Sequence, residues 1–492
     1  MITSLRRGLA RLREILQSRG FRRLLGAQLL SQVSDGLYQI ALASMLIFGF
    51  EPGQTPAQVT KVLAVTLLPF SLVGPFTGPF IDRFSRRSIL AGSSVARSLL
   101  LLLLLPGLAW SEPAILAIGV AIMSINRFFH STKNAVIPLV VPRSDYLEAN
   151  AVASVAGMIT ALAGAVVGAP LAEAVSPRLP ILIAAVCTAA SAVIAATLDL
   201  PRGEKRGLAG IMSELRENLR DVRDGLRVLL DRPGAIYAVS ATWAMRALHG
   251  FIILAALVVG RARFDIGPSG FAVVLGTVAV GGFVGSLLVP AVAGWVGRSG
   301  VGPVAFVAAG VATLAGTPLL TWGVILAVVG LGGAAMTATK VASDTIIMRQ
   351  VADRFRGRAF AVYDIGYNGA FVVAALAATA LRPIVSDLGI IITTGVLYLS
   401  AGGALALRRR RLPTDIEVRS YAGARGDETP RELVWDGVAV GVADVERSWR
   451  EERGGRALQR FRLRLDNGRR VEVSLGEVWE LDRELSPASS GA

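Results

Sequence analysis

The sequence predicts an all-α polytopic membrane protein with twelve transmembrane helices in two six-helix bundles, followed by a small cytoplasmic β-rich module. Three observations predict this fold class. The 492-residue chain is 53% hydrophobic and only 18% charged. Its apolar residues form runs of membrane-spanning length up to residue 410, and after that point the chain becomes polar with a period-two pattern. This composition differs strongly from that of a soluble globular protein.

Twelve apolar runs are long enough to cross a bilayer, because a helix rises about 1.5 Å per residue and the hydrocarbon core is roughly 30 Å thick. These predicted spans, numbered 1 to 12, lie at 24–49, 60–81, 88–110, 113–138, 149–174, 179–198, 234–259, 270–294, 301–319, 322–347, 359–380 and 388–407. The tenth and eleventh spans are interrupted by charged residues. These are Lys340 and Asp344 in the tenth span and Asp364 in the eleventh.

Arginine-rich segments alternate with loops that carry little charge. The arginine-rich segments lie before span 1, after spans 2, 4, 6 and 10, and after span 12, where the membrane part ends. Positive loops stay on the cytoplasmic side, so both termini are predicted to be cytoplasmic in a multi-pass cell (plasma or inner) membrane protein. The net charge of +15 then reflects topology and attraction to anionic lipid, and we expect no nucleic-acid partner.

Composition shifts divide the chain into six regions. They are an amphipathic N-terminal segment (1–20), a six-helix bundle (21–200), a linker (201–233), a second six-helix bundle (234–410), a second linker (411–430) and the β-rich module (431–485). Apolar residues recur every three or four positions over 211–229, which predicts an amphipathic helix in the first linker. This helix either lies on the inner membrane face or is a solvated connector.

The tail alternates apolar and polar residues in VWDGVAVGVADVERSWR and RFRLRLDNGRRVEVSL, which predicts strands. Between two such runs lies Asp466-Asn467-Gly468, and Asn and Gly accept the positive φ of a tight hairpin turn. The sequence assigns no function to this module.

The two halves repeat weakly. Span 4 continues into STKNAVIPLVVPRSDYLEANAV and span 10 into ATKVASDTIIMRQVADRFRGRAFAV. The same comparison places Asp35 opposite His249 and Lys133 opposite Lys340. A duplicated six-helix unit is typical of transporters with a substrate site between the halves near mid-membrane.

The loop between spans 2 and 3 reads GPFIDRFSRR. It resembles the major facilitator superfamily signature G-x-x-x-D-R-x-G-R-R, with Ser85 in place of a glycine; the alternative is a generic positive-inside loop. Two further stretches, RRLLGAQLLSQVSDG and IPLVVPRSDYLEANAV, resemble the drug and macrolide efflux branches of this superfamily. The resemblance implies alternating access between two bundles. It also implies a gating loop, whose residues are Gly78, Asp82, Arg83, Arg86 and Arg87.

Two ionisable residues lie near the centres of predicted helices, where each costs roughly 2.5–3.5 kcal/mol to insert. Asp35 is in span 1 and Arg127 in span 4, and Arg127 resembles the helix-4 arginine of proton-coupled exporters. We expect the two to pair, so that protonating Asp35 couples protons to conformation; a structural ion pair is the alternative. His130 and His249 either join a proton relay or are simply hydrogen-bonded.

Lys133 and Lys340 are predicted to lie in the cavity near its cytoplasmic third, where each either snorkels or closes an inner gate with Asp344 or Asp364. His130 is also predicted to face this cavity. Span 5 carries Gly157, Gly164, Gly168 and Pro170, loosely resembling the glycine-rich motif of superfamily antiporters. Small residues at such spacing allow close helix approach.

No GxxxxGK[ST], HExxH or GxSxG motif is present, so we expect no enzyme, no catalytic residue and no metal site. The predicted function is proton-coupled export of amphipathic or lipophilic small molecules by a monomer in the lipid bilayer, with the proton gradient instead of a cofactor. The alternatives are an importer or a siderophore or lipid exporter of the same fold, and a membrane-anchored sensor or scaffold acting through the β-rich module.

Overall fold

The computed structural model describes residues 15–48, 84–106, 111–142, 145–200, 211–381, 385–410, 412, 416–422, 428–435, 438–453, 456–475 and 479–485. Its helices are α1 (Arg19–Ala43), α2 (Arg86–Leu103), α3 (Glu112–Val140), α4 (Tyr146–Ala174), α5 (Arg178–Ala196), α6 (Ile211–Leu230), α7 (Pro233–Phe264), α8 (Pro268–Val296), α9 (Arg298–Gly316), α10 (Trp322–Gln350), α11 (Asp353–Leu381) and α12 (Asp387–Arg409). A π-helical turn, Ser44–Phe48, extends α1.

Eleven of the twelve predicted spans coincide with helices of this set, and span 2 (60–81) lies outside the described residues. Nine of the described helices, all except α1, α2 and α6, are long and apolar enough to cross a membrane. The two exceptions among the predicted spans carry unusually polar residues. Arg86, Arg87 and Arg97 fall within the 18 residues of α2, and α1 contains Gln28, Ser31, Gln32, Ser34 and Asp35.

Serine side chains begin three of the helices by accepting a hydrogen bond from a first-turn backbone N–H, which stabilises a helix N-terminus. Ser18 caps α1 and Ser386 caps α12. Ser85 caps α2, where its Oγ lies 3.1 Å from the backbone nitrogen of Ser88. The residue that departs from the family signature therefore has a structural role at the start of α2.

The two ends of the membrane part differ in how their apolar cores are organised. We call the end that carries Arg86, Arg87 and Arg408–Arg410 the basic face. One cluster of buried side chains includes residues of both halves at the opposite face, among them Leu42 of α1 and Leu257 of α7, and continues within the second half to Tyr237 near the basic face. Near the basic face each half has a cluster of its own. The described halves are thus joined at the opposite face and have separate cores at the basic face.

Polar and packing contacts support the junction at the opposite face. The backbone N–H of Ser269, at the start of α8, donates to Glu173 Oε2 at the end of α4 over 3.2 Å. Deeper in the same pair of helices, Gly276 of α8 faces Leu162 of α4.

The linker helix α6 packs against the second half. Leu229 is buried in the core near the basic face, and Gly225 lies against the backbone of Arg358 in α11. Arg358 also pairs with Asp221 and Asp224 of α6. The start of the predicted N-terminal segment, 1–14, lies outside the described residues.

The tail forms a six-stranded antiparallel meander: β1 (Ile416–Ala422), β2 (Glu428–Trp435), β3 (Val438–Arg453), β4 (Arg456–Leu465), β5 (Arg470–Leu475) and β6 (Trp479–Leu485). β1 falls within the stretch predicted to be a linker. The predicted hairpin is present between β4 and β5, where Gly468 has φ +80° and Gly468 N donates to Leu465 O over 2.9 Å. The core of the β-rich module is formed by Leu433, Phe461, Leu463, Leu465, Val471 and Val473.

Candidate functional site

A buried ionic cluster lies in the first half, where α1, α2 and α3 meet. Asp35 Oδ1 forms an ion pair with Nη2 of Arg97 from α2. The Arg97 side chain is 0% exposed, and its Nη1 donates to Ser31 Oγ, one turn before Asp35 on α1, over 2.6 Å. The prediction that Asp35 pairs with Arg127 is therefore wrong, because a closer arginine on another helix occupies that carboxylate.

The second oxygen of Asp35 faces α3. Asn126 Nδ2 donates to Asp35 Oδ2 over 3.1 Å, and His130 Nε2 lies 3.6 Å from the same oxygen. These two residues are one helical turn apart, so both reach the carboxylate from one face of α3. The His130 side chain is 18% exposed, more than that of Asp35 at 8%. His130 is therefore the titratable member of the cluster with more access to solvent.

Arg97 and Asn126 were missed by sequence reasoning. Arg97 stands in a serine-rich stretch followed by seven leucines, SSVARSLLLLLLL. The available signal was its charge inside a predicted span, since such a residue needs a partner. Asn126 is adjacent to Arg127, and the helical periodicity that turns Asn126 toward α1 directs its neighbour elsewhere.

Arg127 interacts electrostatically with Asp364 of α11, across the two halves. Asp364 also interacts electrostatically with an ion pair on α10, in which Lys340 Nζ is 3.1 Å from Asp344 Oδ2. The Lys340 ammonium faces two aromatic rings of α11, at 4.8 Å from the Tyr363 centroid and 5.4 Å from the Tyr367 centroid. The structure thus brings together Arg127, Lys340, Asp344 and Asp364, four of the predicted site residues.

His249 occupies a different environment from Asp35, its counterpart in the repeat. Its side chain is fully buried, and neither ring nitrogen has a hydrogen-bond partner among the described residues. A Cβ at Gly332 of α10 would lie 2.7 Å from His249 Nδ1, so the ring packs tightly against that glycine. One turn earlier, Arg246 lies over the rings of Tyr367 and Phe371.

The remaining predicted residues divide between the basic face and α4. Lys133 is buried on α3, one turn beyond His130. Arg86 and Arg87 begin α2 at the basic face, whereas Gly78, Asp82 and Arg83 lie outside the described residues.

The span 5 glycines are on α4 and face α1. A Cβ at Gly164 would lie 2.3 Å from the backbone oxygen of Val33. Leu37 lies against Gly168, and Gln28 and Gln32 lie against Gly157. Pro170 is inside α4, near its end at the opposite face. The close approach of α1 and α4 holds the helix that carries Asp35 in position.

Comparison with known proteins agrees with this architecture. The family model of the Major Facilitator Superfamily matches residues 24–375. An uncharacterized MFS-type transporter of Mycobacterium tuberculosis is 29% identical over 388 residues, which cover 74% of this chain and 85% of that protein. The uncharacterized MFS-type transporter YfiS of Bacillus subtilis is 26% identical over 216 residues, covering 44% of this chain and 50% of that protein.

Solved structures of transporters share the fold. A POT family transporter in complex with 5-aminolevulinic acid gives a TM-score of 0.62 at 12% identity, covering 80% of this chain and 96% of that one. A mutant of the nucleoside transporter NupG gives 0.57 at 12% identity, covering 80% and 99%. With the helical spans, the paired bundles and the family match together, this chain belongs to the Major Facilitator Superfamily and is a multi-pass membrane protein of the secondary transporter class.

Proposed function

We propose that the protein is a proton-coupled exporter of amphipathic or lipophilic small molecules, which works by alternating access with its basic face in the cytoplasm. The buried Asp35–Arg97 pair, with His130 beside it, carries this proposal. A proton on Asp35 removes the charge that compensates Arg97, and an uncompensated buried charge is strongly unfavourable. Protonation therefore changes which arrangement of α1, α2 and α3 is most stable.

The distribution of apolar contacts fits a conformer that is open toward the basic face, from which export would begin. The halves share a core at the opposite face and have separate cores at the basic face. If the basic face is cytoplasmic, as the positive-inside rule indicates, a substrate reaches the site from the cytoplasm. We propose that the transporter acts as a monomer in the cell membrane, with both termini cytoplasmic.

The test uses everted membrane vesicles whose lumen is acidified, with an acridine dye that reports the pH gradient. A panel of cationic, neutral and anionic amphipathic compounds is added. For proton antiport, a substrate entering the lumen releases protons and restores the dye fluorescence. We expect this response with the wild type and not with Asp35→Asn. The matched control is Asp265→Asn, because Asp265 is exposed at the end of α7 in a left-handed conformation that Asn also accepts.

Three results would contradict the proposal. A response of equal size in Asp35→Asn would remove Asp35 from coupling. Gradient-driven uptake into intact cells, without any response in everted vesicles, would favour an importer of the same fold. No transport in either system, with a phenotype that is lost when residues 413–492 are deleted, would favour a sensor or scaffold that acts through the β-rich module.

A further inference from the structure

Arg246 is a cation inside the second half that has no acidic partner in the described structure. Its guanidinium carbon lies 4.5 Å from the ring centroid of Phe371 and 4.7 Å from that of Tyr367, both on α11. Its Nη1 is 3.2 Å from the sulfur of Met336 on α10. Its Nε is buried without a hydrogen-bond partner, and no carboxylate of the described residues lies within ion-pair distance.

The aromatic rings and the thioether compensate this charge only partly. Cation–π contacts stabilise a guanidinium, but its N–H groups keep the directional requirement for an acceptor. A guanidinium presents parallel N–H groups that match the two oxygens of a carboxylate. The contacts of Arg246 therefore combine an anion-binding group with apolar surfaces on two neighbouring helices.

Arg246 differs from its cationic neighbour Lys340 in what compensates its charge. Both face the ring of Tyr367, but Lys340 pairs with Asp344 over 3.1 Å, whereas the contacts of Arg246 among the described residues are aromatic rings and the Met336 sulfur. A buried positive charge without a counter-ion is unfavourable. One monoanion at Arg246 would compensate it.

We propose that Arg246, Tyr367, Phe371 and Met336 bind the carboxylate end of the transported molecule, so that the substrate is an amphipathic monocarboxylic acid. The carboxylate pairs with the guanidinium, and the apolar part of the molecule packs on Phe371 and Met336. This inference rests on the proposed export function and narrows its substrate class.

The test measures equilibrium binding, which needs no proton gradient. The probe is the fluorescent dansylaminoundecanoic acid, and its primary amide is the neutral comparison with the same apolar body. Both are titrated at neutral pH into the detergent-purified full-length protein. We expect the wild type to bind the acid at least about tenfold more tightly than the amide, as a charge-assisted hydrogen-bonded pair predicts.

Three variants make the result specific. Arg246→Gln should bind the amide as the wild type does and bind the acid no more tightly than the amide. Arg246→Lys keeps the charge and should keep part of the preference, which shows that the site is still folded. Arg263→Gln, at an exposed position near the end of the same helix, should keep the full preference.

The proposal is overturned if the wild type does not distinguish the acid from the amide, or if Arg246→Gln retains the preference. The result of this binding test does not depend on whether the protein exports its substrate by proton coupling. Acid-selective binding that depends on Arg246, in a protein without proton-driven efflux, would refute proton-coupled export and leave the anion site in place. Proton-driven efflux restricted to cationic compounds would support proton-coupled export and refute the anion site at Arg246.

Discussion

Asp35 and Arg97 form an ion pair inside one half of the transporter, and this pair does not cross between halves. Alternating access moves the two halves relative to each other, so a pair within one half can persist through that motion. By contrast, Arg127 and Asp364 interact between halves. The two interactions therefore have different expected roles: the first holds a protonation site, and the second changes when the cavity opens or closes.

Arg97→Gln should destabilise the protein strongly, because it leaves the buried Asp35 carboxylate without its cation. Loss of one partner of a buried pair typically costs about 3–5 kcal/mol. The measurement is thermal unfolding of the purified variants in a double-mutant cycle with Asp35→Asn. We expect a coupling energy of about 0.5–3 kcal/mol between the two positions.

The matched cycle pairs Asp35→Asn with Arg127→Gln, for which we expect near-additive effects. A large coupling in this second cycle, with additivity in the first, would show that Asp35 depends on Arg127 and not on Arg97.

Exchanging the charges of the inter-half pair should restore transport that the single changes impair. Arg127→Asp and Asp364→Arg each place like charges opposite one another, whereas the double variant restores attraction. The measurement is the initial transport rate in vesicles with equal amounts of protein. If the double variant is no better than the worse single variant, the electrostatic interaction between these positions has no part in the cycle.

Gly164→Ala should destabilise the first half, because the new methyl group would lie 2.3 Å from the Val33 backbone oxygen. Overpacking of this kind typically costs about 1–3 kcal/mol. The matched control is Gly92→Ala on α2, where nothing lies within 4 Å of the added atom. That change should be neutral or stabilising, since alanine favours a helix over glycine by roughly 0.5–1 kcal/mol. Equal melting temperatures for both variants would argue against close α1–α4 packing.

A cross-link at the opposite face should trap the transporter. Ser269 and Glu173 are in hydrogen-bonding contact, so a Glu173→Cys, Ser269→Cys variant should be joined by a short bis(methanethiosulfonate) reagent, which forms a reducible disulfide with each cysteine. Transport should stop and should return after reduction. The variant is made with Cys187→Ser, which removes the single native cysteine. Cross-linked protein that still transports at the normal rate would mean that this end does not open during the cycle.

The membrane part of the fold is predictable because the length of an apolar run and the charge of a loop are properties of whole segments, and they do not depend on how individual side chains pack. The runs around α7 to α12 are long and apolar, and their ends are set by charges, prolines and serine caps that the sequence shows directly. The hairpin at Gly468 was predictable for a local reason, since its turn requires positive φ. β1 was not predicted, because its apolar–polar alternation covers only residues 416–419 before the register shifts at Ser420, and pairing with β2 defines the strand.

The site was harder to predict, because partner choice depends on helix rotation and not on depth alone. Asp35 and Arg127 were both correctly recognised as charges inside predicted spans, but a rotation of one residue around α3 presents Asn126 to the carboxylate instead. The sequence repeat likewise aligned Asp35 with His249, and the second half places that histidine against Gly332 without an ionic partner. Electrostatic complementarity between helices is a property of the assembled bundle.

The apolar cluster shared by the halves also has a kinetic consequence. Separating it exposes apolar surface at a cost of roughly 25 cal/mol for each Å² that becomes wetted. We therefore expect the protein without substrate to favour the conformer in which the opposite face is closed. In the substrate-bound transporter, contacts that form only after the substrate is bound must compensate this free-energy cost. Slow opening of the opposite face would then limit turnover, and the same barrier would limit leakage of solutes between transport events.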